Sequence, residues 1–249
     1  MARLILVHGA FGRREVWNPV IPGLEAAGNT VEAITLPGQG DDPTPIIEVT
    51  LDAYANRIIE QLHSRPGQKA ILVAHSMGGM SVTQAASRVP ELVAALIYVS
   101  SFMPNDGESL IDLANYPEAA GDLIQANLQV EGEPPLGTMS EQATATAVFN
   151  CCTPEQIQLA LRVPRRQPVI PMTQPFVLDQ SRREEFEALP RRYVTCLKDN
   201  CIMPAMQQLM YERAGAEPVI AIDTDHAPFL SRTVELVAAL NELAALGDS

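Results

Sequence analysis

The fold of this chain is decided by the stretch Ala70-Ile71-Leu72-Val73-Ala74-His75-Ser76-Met77-Gly78-Gly79-Met80. An apolar run ends in a serine flanked by small residues, and a helix-compatible segment follows at once. This pattern is typical of a nucleophile elbow, in which a buried strand leads into a sharp turn that carries the serine and then into a helix. Because that turn strains the serine backbone, only small residues fit two positions away, as Ala74 and Gly78 do. The alternative interpretation is a serine N-cap on an ordinary strand-to-helix turn.

Composition narrows the class of protein. The chain has 249 residues, of which 47% are hydrophobic, and a formal net charge of −13. This length suits a single α/β domain with a full core. The negative charge argues against a nucleic-acid partner, since nothing in the sequence neutralises a run of phosphates.

The sequence carries no strong targeting or metal-binding signal. No apolar run reaches the length of a membrane span. The apolar segment 3–7 runs straight into His8-Gly9 without a cleavage site, so a first strand explains it better than a signal peptide does. The four cysteines lack metal-ligand spacing. We therefore expect a cytoplasmic protein with free thiols, no metal and no membrane partner.

Short apolar runs alternate with segments of helical periodicity over the first hundred residues. The pattern predicts strands at 3–7, 30–36, 69–74 and 93–100, and helices at 16–27, 51–64 and 77–89. Such an alternation indicates a parallel sheet with crossover helices.

The alternation stops after Phe102. The next convincing strand, 193–197, lies about ninety residues further on, whereas a strand–helix–strand unit needs roughly thirty. We interpret the interval as a cap with helical pieces at 109–113 and 154–161. A last strand at 218–222 and a helix at 234–246 then close the chain. The predicted organisation is a core of 1–104 and 191–249 with a cap insertion of 105–190.

A serine hydroxyl needs a base to become a nucleophile, and histidine is the usual one. The chain has four candidates, namely His8, His63, His75 and His226. His226 follows the last predicted strand, at the same sheet edge where Ser76 should emerge. His63 ends an amphipathic helix, and His75 should point away from Ser76. We therefore predict His226 as the base.

The base needs an acid that fixes its tautomer. Asp199 follows the predicted strand 193–197, and the order Ser76, Asp199, His226 along the chain is one that Ser-acid-His hydrolases use. Asp106, which follows the strand 93–100, is the alternative acid. Asp225 adjoins His226 in sequence and should point elsewhere.

Acyl transfer also needs donors for the oxyanion, usually two backbone N–H groups. The N–H of Met77, at the head of the helix after the elbow, is one candidate. The N–H of Ala10, in the loop after the first strand, is the other. Gly9 in that loop would allow a close backbone approach.

The chain resembles the α/β-hydrolase family that contains plant methylesterases, plant hydroxynitrile lyases and bacterial carboxylesterases of the pyrethroid-hydrolase type. The resemblance covers nearly the whole chain and is loose in the cap. It rests on His8-Gly9-Ala10 with Trp17, Ala74-His75-Ser76-Met77-Gly78-Gly79, Phe102-Met103-Pro104, Asp199 with Pro204 and Gln207, and Asp225-His226-Ala227-Pro228. It implies an α/β-hydrolase fold, with a mostly parallel sheet and a small helical cap inserted after the sixth strand. It also implies the same triad and oxyanion donors, no cofactor, and a mainly apolar pocket.

Three positions separate the activities within that family. The lyases similar to this chain carry a threonine, a glutamate and a lysine where this chain has Gly9, His75 and Ala227. The lysine charge supports the departing cyanide, whereas ester hydrolysis needs no charge there. The sequence therefore predicts a serine carboxylesterase, with a hydroxynitrile lyase or a non-catalytic small-molecule receptor as alternatives.

The expected substrate is a small to medium hydrophobic ester. We expect Phe11, His75 and Phe102 to contact it. The cap residues Met139, Phe149, Met172 and Phe176 could add apolar walls or form the cap's own core. The cap surface could also support a homodimer.

Overall fold

The computed structural model describes residues 1–162 and 166–246, which form nine strands. In chain order they are β1 (Arg3–Val7), β2 (Thr30–Ile34), β3 (Ala70–Ser76), β4 (Val93–Ser101), β5 (Gln129–Glu131), β6 (Leu136–Thr138), β7 (Gln167–Pro168), β8 (Arg191–Cys196) and β9 (Val219–Ile222). Six of them form a central sheet in the order β2-β1-β3-β4-β8-β9. Every pairing in this sheet is parallel. The predicted parallel α/β sheet is therefore confirmed.

Twelve α-helices accompany the strands in the described ranges. They are α1 (Ile21–Ala26), α2 (Leu51–His63), α3 (Gly78–Arg88), α4 (Leu110–Ala114), α5 (Leu123–Asn127), α6 (Glu141–Val148), α7 (Pro154–Leu161), α8 (Ile170–Thr173), α9 (Arg183–Glu187), α10 (Pro204–Arg213), α11 (Pro228–Ser231) and α12 (Thr233–Ala245). None of the helices in these ranges has both the length and the apolar character needed to cross a membrane.

The core lies on both faces of the sheet because side chains alternate along each strand. In β1, Ile5 and Val7 pack on the face covered by α2, α3 and α10. Leu4 and Leu6 pack on the other face, against α1 and α12. With both faces covered, the strands read as continuous apolar runs, which is why they stand out in the sequence.

The sheet order creates the place where a ligand can bind. The chain runs from β1 outward to β2 and then returns to β3 on the other side of β1. In open α/β sheets, the loops that leave such a switch point diverge and open a crevice beyond the carboxyl ends of the strands. The loop after β1 and the turn after β3 both lie at this crevice.

The insertion between β4 and β8 holds α4 to α9 and differs from the prediction in two ways. It follows the fourth strand of this chain, not the sixth, because only β1 to β4 precede it among the described strands. It also contains a small antiparallel sheet, β5-β6-β7, beside its helices. Strands of two or three residues are too short to leave a periodic signal in the sequence.

The helix predicted at 16–27 is also wrong in extent. The structure has a 3₁₀ helix at Arg14–Trp17 and then α1 from Ile21. Pro19 and Pro22 have no N–H to donate, so a continuous α-helical hydrogen-bond ladder cannot pass through this segment.

Candidate active site

Ser76 ends β3 in a strained backbone conformation, with φ of 55°. Positive φ is costly for a residue with a Cβ, and such strain persists only where the surroundings enforce it. Here the packing is tight: a Cβ on Gly78 would lie 2.7 Å from the His8 carbonyl oxygen. One on Gly79 would lie 2.0 Å from the Phe102 carbonyl oxygen. The segment is therefore an elbow and not merely a helix cap.

The structure brings the three residues predicted as a triad into one hydrogen-bonded chain. Ser76 Oγ lies 2.9 Å from His226 Nε2, and His226 Nδ1 lies 2.7 Å from Asp199 Oδ2. All three side chains are buried. With the carboxylate facing Nδ1, the neutral imidazole carries its proton there and leaves Nε2 free to accept from the serine hydroxyl.

The Asp199 carboxylate is fixed by donors from several elements. Its Oδ1 accepts from the N–H groups of Cys201 at 2.7 Å and Ile202 at 3.0 Å. Its Oδ2 accepts from Gln207 Nε2 at 3.2 Å and from the Ser100 hydroxyl. Sequence analysis missed Ser100, which lies near the end of β4. A polar residue at the carboxyl end of the strand beside the elbow strand is the signal that could have found it.

The alternative acid, Asp106, lies elsewhere. Its carboxylate accepts from the Leu178 N–H at 2.9 Å and from Gln180 Nε2 at 3.0 Å. It therefore ties the loop after β4 to a later segment of the cap and does not contact His226. Asp225 also turns away from the His226 ring, as predicted, and accepts from the Cys151 N–H at 2.7 Å.

His75 supports the loop that carries His226. Its Nε2 lies 2.7 Å from the His226 carbonyl oxygen, so it donates a proton there. The two imidazole rings lie 4.5 Å apart between centroids, and the Phe229 ring packs edge-on against His75 at 5.1 Å. Burial lowers the pKa of His75 well below its usual value, so the ring is neutral. His75 therefore supports the backbone at His226 without carrying a charge.

The residues that carry the predicted oxyanion donors lie at the crevice. The backbone N–H groups of Ala10 and Met77 donate no hydrogen bond to any described residue, and both residues line the main cavity. The loop of Ala10 is pressed onto the elbow: a Cβ on Gly9 would lie 2.5 Å from Ser76 Cβ. Glycine at position 9 thus lets the loop approach the serine.

His8 anchors this loop from the core side. Its Nδ1 donates to the Gly9 carbonyl oxygen at 2.8 Å, and its Nε2 accepts from the Leu36 N–H at 3.0 Å. One ring nitrogen donates and the other accepts, which requires the neutral form. Burial lowers its pKa to about 4. His8 therefore has a structural role in a neutral state.

A cavity of about 1240 Å³ opens above Ser76 and His226. The three residues predicted to contact substrate, Phe11, His75 and Phe102, all line it. Of the apolar cap residues considered from sequence, Met139, Phe149 and Met172 line the cavity as well. Phe176 does not belong to this lining and packs against Phe186 at 5.9 Å between ring centroids.

The cap also brings a carboxyl group to the cavity wall that sequence analysis missed. Asp122 precedes α5 and caps it by accepting from the Ile124 N–H at 2.6 Å. Burial raises the pKa of its carboxyl group. The cavity lining is apolar over most of its area, and Asp122 lies in it together with the ionisable residues Arg13, Glu15, Asp41, Glu141 and Arg166.

One set of potential metal ligands exists among the described residues, namely Asp199, Cys201 and His226. Two of these belong to the hydrogen-bonded chain above. Cys201 Sγ donates to the Ala147 carbonyl oxygen at 3.2 Å, and burial raises the pKa of this thiol well above its usual value. A protonated thiol is a poor ligand, so these residues suit proton transfer better than metal binding.

This chain is similar in sequence to a known family and to individual plant proteins. The family model described as the alpha/beta hydrolase family matches residues 4–240. Methylesterase 7 of Arabidopsis thaliana is 30% identical over 257 residues, covering 97% of this chain and 96% of that protein. The alpha-hydroxynitrile lyase of the same plant is 28% identical over 253 residues, covering 96% of each.

A solved structure shows the same architecture. The crystal structure of polyneuridine aldehyde esterase, a protein known from Rauvolfia serpentina, has a TM-score of 0.84 at 26% identity. That match covers 98% of this chain and 99% of the other. Since the family model spans all but a few residues at each end, this chain belongs to the alpha/beta hydrolase family, as its sequence motifs predicted.

Proposed function

We propose that the protein is a serine carboxylesterase that hydrolyses small to medium hydrophobic esters through an acyl-enzyme on Ser76. One observation carries the proposal. The Ser76 hydroxyl lies 2.9 Å from a histidine nitrogen that can take its proton, below a mainly apolar cavity. Nucleophile and base at this distance are what acyl transfer requires.

The first half of the reaction forms the acyl-enzyme. Ser76 Oγ attacks the ester carbonyl carbon while its proton passes to His226 Nε2. The negative charge that develops on the carbonyl oxygen is held by the N–H groups of Ala10 and Met77. Asp199 stabilises the imidazolium that forms, and His226 then gives the proton to the leaving alcohol.

The second half releases the acid. Water loses a proton to His226 Nε2 and attacks the acyl carbonyl, and the oxyanion again lies against the Ala10 and Met77 N–H groups. His226 returns the proton to Ser76 Oγ as the carboxylic acid departs. His75 contributes by holding the backbone of His226 at 2.7 Å, so the base stays in register with the serine.

The cavity supports the substrate class. Its volume of about 1240 Å³ exceeds that of a methyl acetate-sized molecule, and Phe11, Phe102 and Met172 present apolar surface to it. A hydrophobic acyl group with a methyl or aryl leaving group fits this lining. The name of the relative Methylesterase 7 points in the same direction.

Two other functions compete with this one. Cyanide release by a hydroxynitrile lyase needs a positive charge beside the leaving group. Ala227 follows the histidine here, and His75 is neutral, so neither position supplies that charge. A non-catalytic receptor has no need for a serine, a histidine and an aspartate in hydrogen-bonded sequence. The ester-hydrolase proposal is therefore favoured over both.

The test compares the wild type with Ser76→Ala in two assays. We expect the wild type to hydrolyse p-nitrophenyl acetate and butyrate, and Ser76→Ala to lose several orders of magnitude in kcat, because no nucleophile remains. Mandelonitrile cleavage, followed by cyanide release, is measured in parallel. Circular dichroism of both proteins controls for folding.

Each outcome decides between the functions. Ester turnover that disappears with Ser76 supports the esterase, and a panel of methyl esters then defines the acyl group. Cyanide release without ester turnover would make the protein a lyase. A folded wild type without activity in either assay would favour the non-catalytic receptor.

A further inference from the structure

A buried glutamine of the cap reaches the loop that carries the proposed oxyanion donor. Gln167 lies in β7, and its side chain is fully buried. Its Oε1 accepts from the Phe11 N–H at 3.1 Å and from Gln39 Nε2 at 2.8 Å. Its Nε2 lies 2.7 Å from the Pro168 carbonyl oxygen and 3.3 Å from the Tyr54 hydroxyl. All the polar atoms of this side chain are thus engaged, and one bond crosses to the loop after β1.

The loop needs such a contact because its backbone is strained. Phe11 has φ of 57°, a region that is unfavourable for a residue with a Cβ and persists only where the surroundings enforce it. The Phe11 N–H belongs to the peptide unit that joins Ala10 to Phe11. Fixing its direction therefore fixes the backbone on the C-terminal side of Ala10.

The N-terminal side of Ala10 is fixed by the core. The Gly9 carbonyl, which shares a peptide plane with the Ala10 N–H, accepts from His8 Nδ1 at 2.8 Å and from the Gly12 N–H at 3.3 Å. In a trans peptide the C=O and N–H bonds point in opposite directions within the plane, so the Ala10 N–H points away from these two donors. The orientation of the donor thus depends on two anchors, one from the core and one from the cap.

We propose that Gln167 is a positioning residue for the oxyanion loop, through which the cap sets the geometry of transition-state stabilisation. The proposal rests on the esterase function proposed above. In this proposal the cap affects the rate of the chemical step as well as the choice of substrate. An oxyanion donor acts only where charge develops in the transition state, so a misplaced loop lowers kcat and leaves KM nearly unchanged.

The variant that tests this is Gln167→Met, which keeps the length of the side chain and removes its polar atoms. Loss of a whole oxyanion donor costs about 10²–10³ in kcat, so a misplaced one should cost about 10–100-fold, with KM changed by less than about threefold. Phenylboronic acid, which forms a tetrahedral adduct on the serine, should bind the variant more weakly by a similar factor. The product p-nitrophenol, which forms no tetrahedral adduct on the serine, should bind as before.

Tyr54→Phe is the matched control. It removes a hydroxyl from the same buried network and leaves the bond between Gln167 and Phe11 in place. We expect its kcat to stay within about twofold of the wild type.

The conservative variant Gln167→Glu should retain most of the wild-type activity, because a neutral carboxyl group accepts from the Phe11 N–H and donates to the Pro168 carbonyl. If Gln167→Met does not fold, Gln167→Asn, whose shorter amide withdraws from Phe11, replaces it with the same expectation.

The results separate this proposal from the proposed function. Ester turnover that is absent, or that survives Ser76→Ala, overturns the esterase function itself. With Ser76-dependent turnover established, an unchanged kcat in Gln167→Met overturns the role of Gln167. The role of Gln167 is also overturned if the variant changes KM instead of kcat, or if Tyr54→Phe loses as much kcat as Gln167→Met.

Discussion

Among single residues, Asp199 and Asp106 show that the path of the loop after a strand determines which carboxylate reaches His226. Both follow a strand of the sheet, and sequence order favours Asp199 without excluding Asp106. In the structure the Asp199 carboxylate lies 2.7 Å from His226 Nδ1, whereas Asp106 holds the Leu178 N–H at 2.9 Å. Only Asp199 can stabilise a charged His226.

Asp199→Asn should therefore lower kcat by about 10⁴, because an amide N–H facing Nδ1 imposes the wrong imidazole tautomer. Asp106→Asn is the matched control and should keep kcat close to that of the wild type. Steady-state kinetics with a p-nitrophenyl ester measures both. The reverse result, with the loss in Asp106→Asn, would move the acid to Asp106.

The sequence could predict the site residues that directly follow strands. It could not predict the residues that contact the site from other elements. Ser76, Asp199 and His226 each come after an apolar run, and parallel strands end at the same edge of a sheet. Ser100 also ends an apolar run, whereas Gln167 carries no such signal. Their contacts depend on how strands pair and on how the cap folds back, neither of which a local pattern contains.

Among the secondary-structure elements, the cap is joined to the histidine loop by Asp225. The fully buried carboxylate accepts from the Cys151 N–H, between α6 and α7, at 2.7 Å. It also accepts from the Ala227 N–H at 3.1 Å and from the Ser231 hydroxyl at 2.7 Å, both just beyond His226. One side chain thus connects the cap to the turn that presents the base.

Asp225→Ala should destabilise the protein by about 2–4 kcal/mol, because it leaves buried N–H groups without an acceptor. Asp223→Ala is the control from the same loop. It breaks an exposed ion pair with Lys198 at 2.6 Å and should change the free energy of unfolding little. Urea denaturation measures both. Equal stabilities for the two variants would mean that Asp225 does not hold the cap.

Elements with a clear apolar pattern were predictable, including the short α4 and β9, whereas the strands of the cap were not. The predicted 51–64 became α2 (Leu51–His63), and 154–161 became α7 (Pro154–Leu161), since both carry helical start signals, Thr50 and Thr153 as N-caps. The segment 16–27 has the apolar spacing of a helix, but two prolines interrupt its hydrogen bonds. The cap sheet β5-β6-β7 forms from strands too short to show alternation.

In the molecule as a whole, the neutral histidines tie the stability of the fold to the pH. His8, which directly follows β1, and His75, which lies in β3, are both buried. Burial lowers the pKa of His8 to about 4 and that of His75 well below its usual value. An imidazole in an unfolded chain has a pKa near 6.5. The folded chain therefore binds fewer protons than the unfolded one at mildly acidic pH.

Stability should consequently fall as the pH is lowered from 6.5 towards 4. In this window the unfolded state takes up a proton at position 8 and the folded state does not, so protonation favours unfolding. His8 alone should contribute a loss of about 3 kcal/mol over the window, since one pKa unit corresponds to about 1.4 kcal/mol. The measurement is urea denaturation between pH 4.5 and 7.5.

Two variants assign this pH dependence. In His8→Gln, whose amide can bond both Leu36 and Gly9, the free energy of unfolding should vary less with pH. In His63→Gln, which removes an exposed imidazole, it should follow the wild type. The carboxyl groups are the same in all three proteins, so a His8→Gln curve parallel to the wild type would show that His8 binds its proton equally in the folded and unfolded states.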